Sequence, residues 1–425
     1  MDYFITLETY YPYLLKKDIF NLSLVNKSFS RNLFSYICRN FYFNINADEF
    51  RYYKPRLICN VKDVNQLSKM MYFDIYSRIF DSTIKISKLL DFVISIHFDN
   101  NFNMSLGNLS NSVIHLDLSG DFNQLIENLP HFIKHLNLGA KFNQPIDNLP
   151  NSIINLIIGE DDGDFNQSLD NLPNSILSLC IKSDTFNKSL DNLPCSIKRL
   201  FIEGNYDQSL DHLPIFLDDL EITSYLFNQN IDNLPNAITI LSFGNNFNQS
   251  VDHLPNSIVE LNFGFSFNQS VDYLPNSLII LKFGFNFNQS VDYLPNSLTK
   301  LQFGFDFDEL IDYLPSSLIE LNFGACFNQL VDNLPNSIIF IEFGENFNQP
   351  IDHLPNLIKE FTIFNSNPLV INSMIDRLPN SITHLYLHCD QLTLTNVPNS
   401  ITHMYFNMNF VNPAFCRSLA KLITN

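Results

Sequence analysis

The chain has 425 residues, a formal net charge of −19, 45% hydrophobic residues, 41 Phe and no Trp. Such acidity repels a phosphate backbone and argues against nucleic acid as a partner. No apolar run approaches the roughly 18 residues needed to span a membrane, and the opening MDYFITLETYY lacks the basic region of a secretory signal. Seven Cys without CxxC or any other regular spacing read as thiols in a reducing compartment, so a cytoplasmic protein without membrane contact is expected.

From Tyr13, the stretch YLLKKDIFNLSLVNKSFSRNL predicts two short helices within residues 1–41. Asp18 is placed to cap one that carries Ile19, Leu22 and Val25 on one face, and Ser28 to cap the next. Read from its residues alone, this segment is a helical cap. Residues 42–92, rich in Tyr, Lys and Ile, are a linker or hold degenerate repeats.

Residues 93–410 are periodic. Pro235, Pro255, Pro275, Pro295, Pro315, Pro335 and Pro355 stand 20 residues apart, and Leu-Pro recurs with looser spacing from Pro130 to Pro214 and again at Pro379. Self-similarity at this period marks a solenoid, in which each unit buries its apolar side only against its neighbours. Residues 411–425 then form a C-terminal cap.

In NSIVELNFGFSFNQSVDYLP, the apolar positions Ile258, Leu261, Phe263, Phe267, Val271 and Leu274 return in almost every copy and are assigned inward. Leu261 and Phe263, two apart, define a short strand with one buried face, and Gly264 is expected to end it with positive φ. One parallel strand per turn, about 20 residues per turn, gives a mainly β solenoid. The rest of each unit, broken by proline, is too short for an α-helix and is expected as turns, extended chain or a turn of 3₁₀ helix. The Asn of FNQ, as at Asn248 and Asn268, is expected as a buried amide ladder between turns. An Asp three residues before each proline, from Asp147 through Asp272 to Asp376, accounts for much of the net charge. Two readings fit that Asp: an Asx-turn in which the carboxylate accepts backbone N–H groups, or a calcium ladder.

A fixed core with a changing outer face is the pattern of a binding surface. The strand positions beside the buried Leu face outward, and along the concave side they include Arg199, Phe201, Ile240, Glu260, Asn262, Lys282, Lys300 and Phe340. Exposed Phe201, Ile240 and Phe340 favour binding of a protein target over an idle solvent face. The last two strands place His384 beside His403 and Tyr386 beside Tyr405, with His388 on the same face. That set reads as an aromatic patch or, with a further ligand, a zinc site.

Ile-x-x-Leu-x-Phe followed by Gly-x-x-Phe-Asn is similar to the leucine-rich repeat pattern, and the 20-residue unit with Leu-Pro looks like its shortest class. FNQSVDxLPNSI resembles the FNIP repeat, an LRR-like unit found mainly in amoebae and in large DNA viruses that infect them. The resemblance implies a cytoplasmic location, in the host cytoplasm if the source is viral. Within residues 1–41, Tyr13, Leu14, Asp18, Ile19, Leu22, Ser23, Val25, Lys27 and Leu33 match the core pattern of an F-box position by position. Phe29 replaces its tryptophan, and of its opening segment only Leu7 is retained. That resemblance implies docking of a Skp-type adaptor, through Leu14, Ile19, Leu22 and Val25, and through it the cullin of an SCF-type ubiquitin ligase. The alternative is an LRR-like binding scaffold with no ligase link.

GxGxxG, P-loop, HExxH and GxSxG signatures are absent, and so are a Ser-His-Asp set that the scaffold does not explain and any cofactor motif. Some bacterial ligases with Leu-Pro repeats carry a separate domain with a nucleophilic Cys, but only VNPAFCRSLAKLITN, with Cys416, follows the repeats here. The enzymatic alternative is a parallel β-helix that cleaves polysaccharides with clustered Asp, whereas most Asp of this chain sit in turns. A non-catalytic protein is therefore expected.

Overall fold

A computed structural model describes residues 95–98, 100–388 and 397–406, together with the backbone of strands Arg56–Asn60 and Asp74–Ile79. The F-box-like positions Leu14, Ile19, Leu22 and Val25, the rest of residues 1–41, Val93, Cys416 and the C-terminal residues 411–425 lie outside the described residues. The chain forms two compact units, residues 1–165 and 166–425.

Each unit is a run of parallel strands paired in sequence order, the topology of a parallel β-solenoid. In the first, Arg56–Asn60 pairs with Asp74–Ile79, which pairs with Ser95–Phe98, and the ladder continues to Asn155–Ile158. In the second, strands run from Ser178–Ser183 to His403–Phe406, each beside the next in sequence. Register repeats with the sequence: Leu241 lies beside Leu261, then Leu281, Leu301 and Leu321.

The strands are three to six residues long, and their buried residues alternate with outward ones, as Leu241 and Phe243 do in Ile240–Phe243. Ile258, Leu261 and Phe267 are completely buried, and Val271, Leu274 and Phe263 nearly so, so the inward assignment made from periodicity holds. The phenylalanines make two columns. Phe263 stacks on Phe267 within one turn at 3.6 Å between centroids, and each ring meets its counterpart one turn on, Phe283 at 5.8 Å and Phe287 at 6.1 Å. Offset-stacked rings at these separations contribute about 0.5–1.5 kcal/mol per pair beyond their buried area.

The side of each turn opposite the strand is turns and extended chain, held by regular polar contacts. The carbonyl of Pro255 accepts the amide of Ile258 at 3.3 Å. Ser257, from the PNS triplet, donates its hydroxyl to the Ile238 carbonyl one turn back at 2.6 Å, and Ser297 does the same to Leu278. The FNQ ladder exists: Asn248 Oδ1 accepts from the amide of Asn268 at 2.9 Å and from Gln269 Nε2 at 3.1 Å. It is half-buried rather than buried, because the row lies at the rim of the core. Only an acceptor is needed there, so Asp308 substitutes without loss, accepting from Asn328 N and Gln329 Nε2.

Three expectations need correction. Gly264 does not have positive φ; among the described glycines only Gly107, Gly120, Gly159 and Gly204 do. Its reason is space: a Cβ on Gly264 would fall on the carbonyl of Gly244, and the same holds from Gly284 to Gly344 along the column. The Asx-turn is also not what Asp252, Asp272 and Asp292 make among the described residues. The amide of Asp272 donates instead to Ser270 Oγ at 3.3 Å, and the same Ser-to-Asp contact recurs at Ser250 and Ser290. Finally, among the described residues an α-helix occurs, Pro368–Ile375, in the unit whose prolines, 355 and 379, are 24 apart instead of 20. Asn367 caps it by accepting the Leu369 amide, proline starts it, and Val370, Ile371, Met374 and Ile375 bury one face. Among the described residues no helix is long and apolar enough to cross a membrane.

Candidate interaction face

Two rows of outward side chains run across the strands of the second unit. The first passes from Arg199 through Asp219, Ile240, Glu260, Ile280, Lys300, Glu320, Phe340 and Glu360 to His384 and His403. The second runs two residues on, from Phe201 through Glu221, Ser242, Asn262, Lys282, Gln302, Asn322, Glu342 and Thr362 to Tyr386 and Tyr405.

The rows divide into patches of different chemistry. Glu260, Lys282, Lys300 and Glu320 line a shallow depression of about 250 Å³ with Gln302 and Asn322. Lys300 Nζ is 2.8 Å from Glu320 and Lys282 Nζ 3.4 Å from Glu260, while Asn262 Nδ2 donates to Glu260 and to Ser242. Three strands earlier, Arg199 is exposed and Phe201 half-buried, with Lys182 Nζ 5.6 Å over the Phe201 ring. Phe340 is 37% exposed and Ile240 half-buried. At the far end His384 stacks on His403 at 4.5 Å and Tyr386 on Tyr405 at 4.5 Å, as the register predicts. His388 departs from that patch and stacks on Phe364 at 3.9 Å.

Burial at this face holds carboxylates in an unfavourable state. Asp219 and Glu221 are pushed above the usual range by desolvation first. At Asp219 the Arg199 charge opposes the shift while Asp218 and Glu260 add to it; at Glu221, Asp219 and Glu260 add to it. Asp219 Oδ1 is buried without a hydrogen-bond partner. Glu342 is raised in the same way, by burial and then by Glu320. Burial also pushes the Cys180 thiol up to about 11, so it is not a thiolate at neutral pH. In the first unit the same rows hold a His115–His135 stack at 4.4 Å and a 2.7 Å contact between His97 Nδ1 and Asp117. Burial would raise Asp117, but the bonds from His97 and Ser119 prevail and lower it.

Sequence reasoning missed a second set of residues, at the turn edge. In the second unit the Asp before Leu-Pro is in most turns reached by the side chain one turn on that follows the next Asp. Asn192 bonds to Asp170, His212 to Asp191, Asn233 to Asp211 and His253 to Asp232; beyond the middle turns Asn333 bonds to Asp312, His353 to Asp332 and Arg377 to Asp352. In the middle, Tyr273, Tyr293 and Tyr313 occupy that place. The signal was the identity of the tandem DYLP copies, read only as scaffold. A further exposed column, Phe265, Phe285 and Phe305, stacks at 4.6 and 4.4 Å just past the strands.

Among the described residues no group of three His, Cys, Asp or Glu is placed to hold a metal ion, and the His384–His403 pair acquires no third ligand. Calcium takes six to eight oxygens, whereas a turn carboxylate such as Asp170 or Asp232 meets at most two side chains, Ser168 and Asn192 or Asn230 and His253. Adding millimolar calcium is expected to leave the melting temperature unchanged. A rise that disappears in Asp272→Asn with Asp292→Asn would restore the calcium ladder.

A parallel solenoid with one short strand and one glycine-spaced bend per turn is an LRR-like repeat scaffold. The FNIP Repeat family model matches residues 122–161, 227–266, 267–306, 287–326, 305–346 and 327–366. Among solved structures the chain is similar to CroV588, described as a novel circular LRR protein, at 32% identity and a TM-score of 0.53 over 85% of this chain. The match spans 62% of the length of CroV588. YopM from Yersinia enterocolitica WA-314 is similar at 18% identity and a TM-score of 0.47, over 83% of this chain and 85% of YopM. The functional domain of InlJ from Listeria monocytogenes follows at 10% identity and a TM-score of 0.46, over 78% of this chain and 72% of InlJ. No curated protein matches the chain in sequence.

Proposed function

We propose that the protein is a non-catalytic substrate receptor, which holds a protein target on the outward strand face and docks a Skp-type adaptor and cullin through residues 1–41. The observation that supports target binding is the contrast within each strand. The inward residue hardly changes, as at Leu241, Leu261, Leu281 and Leu301, while its neighbours run through Ile, Glu, Lys, Asn and Phe in separate patches. Asp219, Glu221 and Glu342, desolvated beside other carboxylates, would be relieved by a donor or cation brought by the target. The docking half rests on the F-box-like residues Leu14, Ile19, Leu22 and Val25, and it places the protein in the cytoplasm, that of the host if the source is viral. The second reading is a binding scaffold with no ligase link, favoured by the loss of the F-box opening before Tyr13.

One experiment separates the two. Leu22→Asp with Val25→Asp removes apolar anchors that typically contribute more than about 1–2 kcal/mol of binding, so co-purification of adaptor and cullin is expected to be abolished. The repeats depend on their neighbours and are expected to keep their circular dichroism and main melting transition. A wild-type protein that brings down no adaptor would leave the plain scaffold; loss of the repeat fold in the double variant would make the segment a structural cap.

A further inference from the structure

The turn edge of the second unit carries an interruption that the scaffold does not require. From Asp170 to Asp232 and again from Asp312 to Asp352, each turn Asp is bridged to the following turn by Asn, His or Arg. At Asp252, Asp272 and Asp292 the residue that should reach back is Tyr273, Tyr293 or Tyr313, and none of these carboxylates accepts a side-chain bond among the described residues. The rings do not fold onto the core either: they are 72%, 71% and 72% exposed. Three consecutive turns therefore offer an unbridged carboxylate beside a bare aromatic ring, where the same backbone elsewhere places a bridging amide or imidazole.

We propose that this edge binds an extended, arginine-bearing segment of a partner protein, at a surface separate from the outward strand face. The charge complementarity is direct: three unbridged carboxylates on a chain of net charge −19 select a cation. The rings refine that selection, because a guanidinium stacks on an aromatic face while its edge donates two parallel bonds to a carboxylate, which an ammonium does not match. Spacing agrees as well. Successive turns rise by about 4.8 Å, so two turns cover about 9.6 Å, close to the roughly 9.3 Å per turn of a segment in the extended polyproline II conformation, whose residues i and i+3 share a face. Arginines at i and i+3 thus fall on the outer two of the three sites.

The test uses the full chain and a fluorescein-labelled peptide of three Arg-Gly-Ser triplets, with a Glu-Gly-Ser peptide as control, followed by fluorescence anisotropy. The wild type is expected to bind the arginine peptide only, and less well as salt rises. Replacing Tyr273, Tyr293 and Tyr313 by Asn, the residue found at Asn233 and Asn333, restores the bridges and is expected to weaken binding by about tenfold or more. Circular dichroism should not change, and Tyr293→Phe should retain binding because it keeps the ring. Asp252→Asn with Asp272→Asn and Asp292→Asn is expected to weaken binding comparably. Glu342→Gln, on the strand face, should have no effect. The proposal is overturned if the wild type does not bind the peptide, or if Glu342→Gln weakens binding and the Tyr variants do not. It is overturned equally by a wild-type dimer in sedimentation that the Tyr variants dissolve with no peptide binding, which would give the edge to a second copy of the chain.

Discussion

Phe267→Ala lowers the stability of the second unit by about 3–5 kcal/mol, the range for removing a fully buried aromatic side chain. The ring has no solvent exposure and takes part in four stacking contacts: Phe263 at 3.6 Å, Phe247 and Phe287 at 6.1 Å, and Phe283 at 6.5 Å. Collapse cannot fill the space, because the backbone on either side is fixed by the strand ladder and by the amide of Asn268 on Asn248. In a repeat array stability is a sum over neighbours, so the loss is concentrated in the turns around residue 267 and reads as earlier hydrogen exchange there. Glu260→Ala, in the same turn but half exposed, removes only a surface pair with Lys282 and a bond from Asn262. It is expected to change stability by about 0.5 kcal/mol or less. Denaturant titration by circular dichroism compares the two, and equal losses would refute the inward and outward assignment.

The strand ladder was legible because its cause is local and repeated. Leu261 and Phe263, two apart and followed twenty residues later by Leu281 and Phe283, specify both an inward face and the register between turns. The stacking of His384 on His403 followed from the same register. Most of what was not legible depended on contacts between turns. Gly264 reads identically whether it supplies positive φ or merely makes room, and only the approach of the Gly244 carbonyl distinguishes them. An Asp before Leu-Pro reads as a turn cap. That Ser270 caps the amide of Asp272 is a local contact the residue types did not single out, and that the Asp312 carboxylate is met by Asn333 depends on geometry across a gap of 21 residues. The helix Pro368–Ile375 left a sequence trace, an Asn-Pro start within a unit four residues too long, that the dominant period obscured. For the candidate face, period placed the outward residues correctly beside one another, yet the desolvation of Asp219 and Glu342 comes from packing that no single repeat contains.

Gly304→Ala is expected to cost about 3 kcal/mol or more, beyond the usual effect of a small overpacking change. Its φ is not in the left-handed region, so an alanine meets no intrinsic backbone penalty. The obstacle is what its Cβ would touch: the carbonyl of Gly284, and then the Phe285 amide at 3.0 Å. A flexible side chain would move aside, but this backbone is held. The Phe285 carbonyl accepts the amide of Asp306 at 2.9 Å, and Phe283 donates to the Gln302 carbonyl at 2.9 Å. Admitting the methyl group therefore requires the two turns to separate, which pulls apart the Phe283–Phe303 and Phe287–Phe307 contacts at 5.8 and 6.1 Å. Gly107→Ala provides the contrast. Gly107 has φ +56 and open space around its missing Cβ, so alanine there meets only the left-handed penalty, about 1–2 kcal/mol. Denaturant titration of both variants, with hydrogen exchange across residues 281–307, measures the difference. A Gly304→Ala loss no greater than that of Gly107→Ala would mean that the turns have slack, and that the glycine column does not set their spacing.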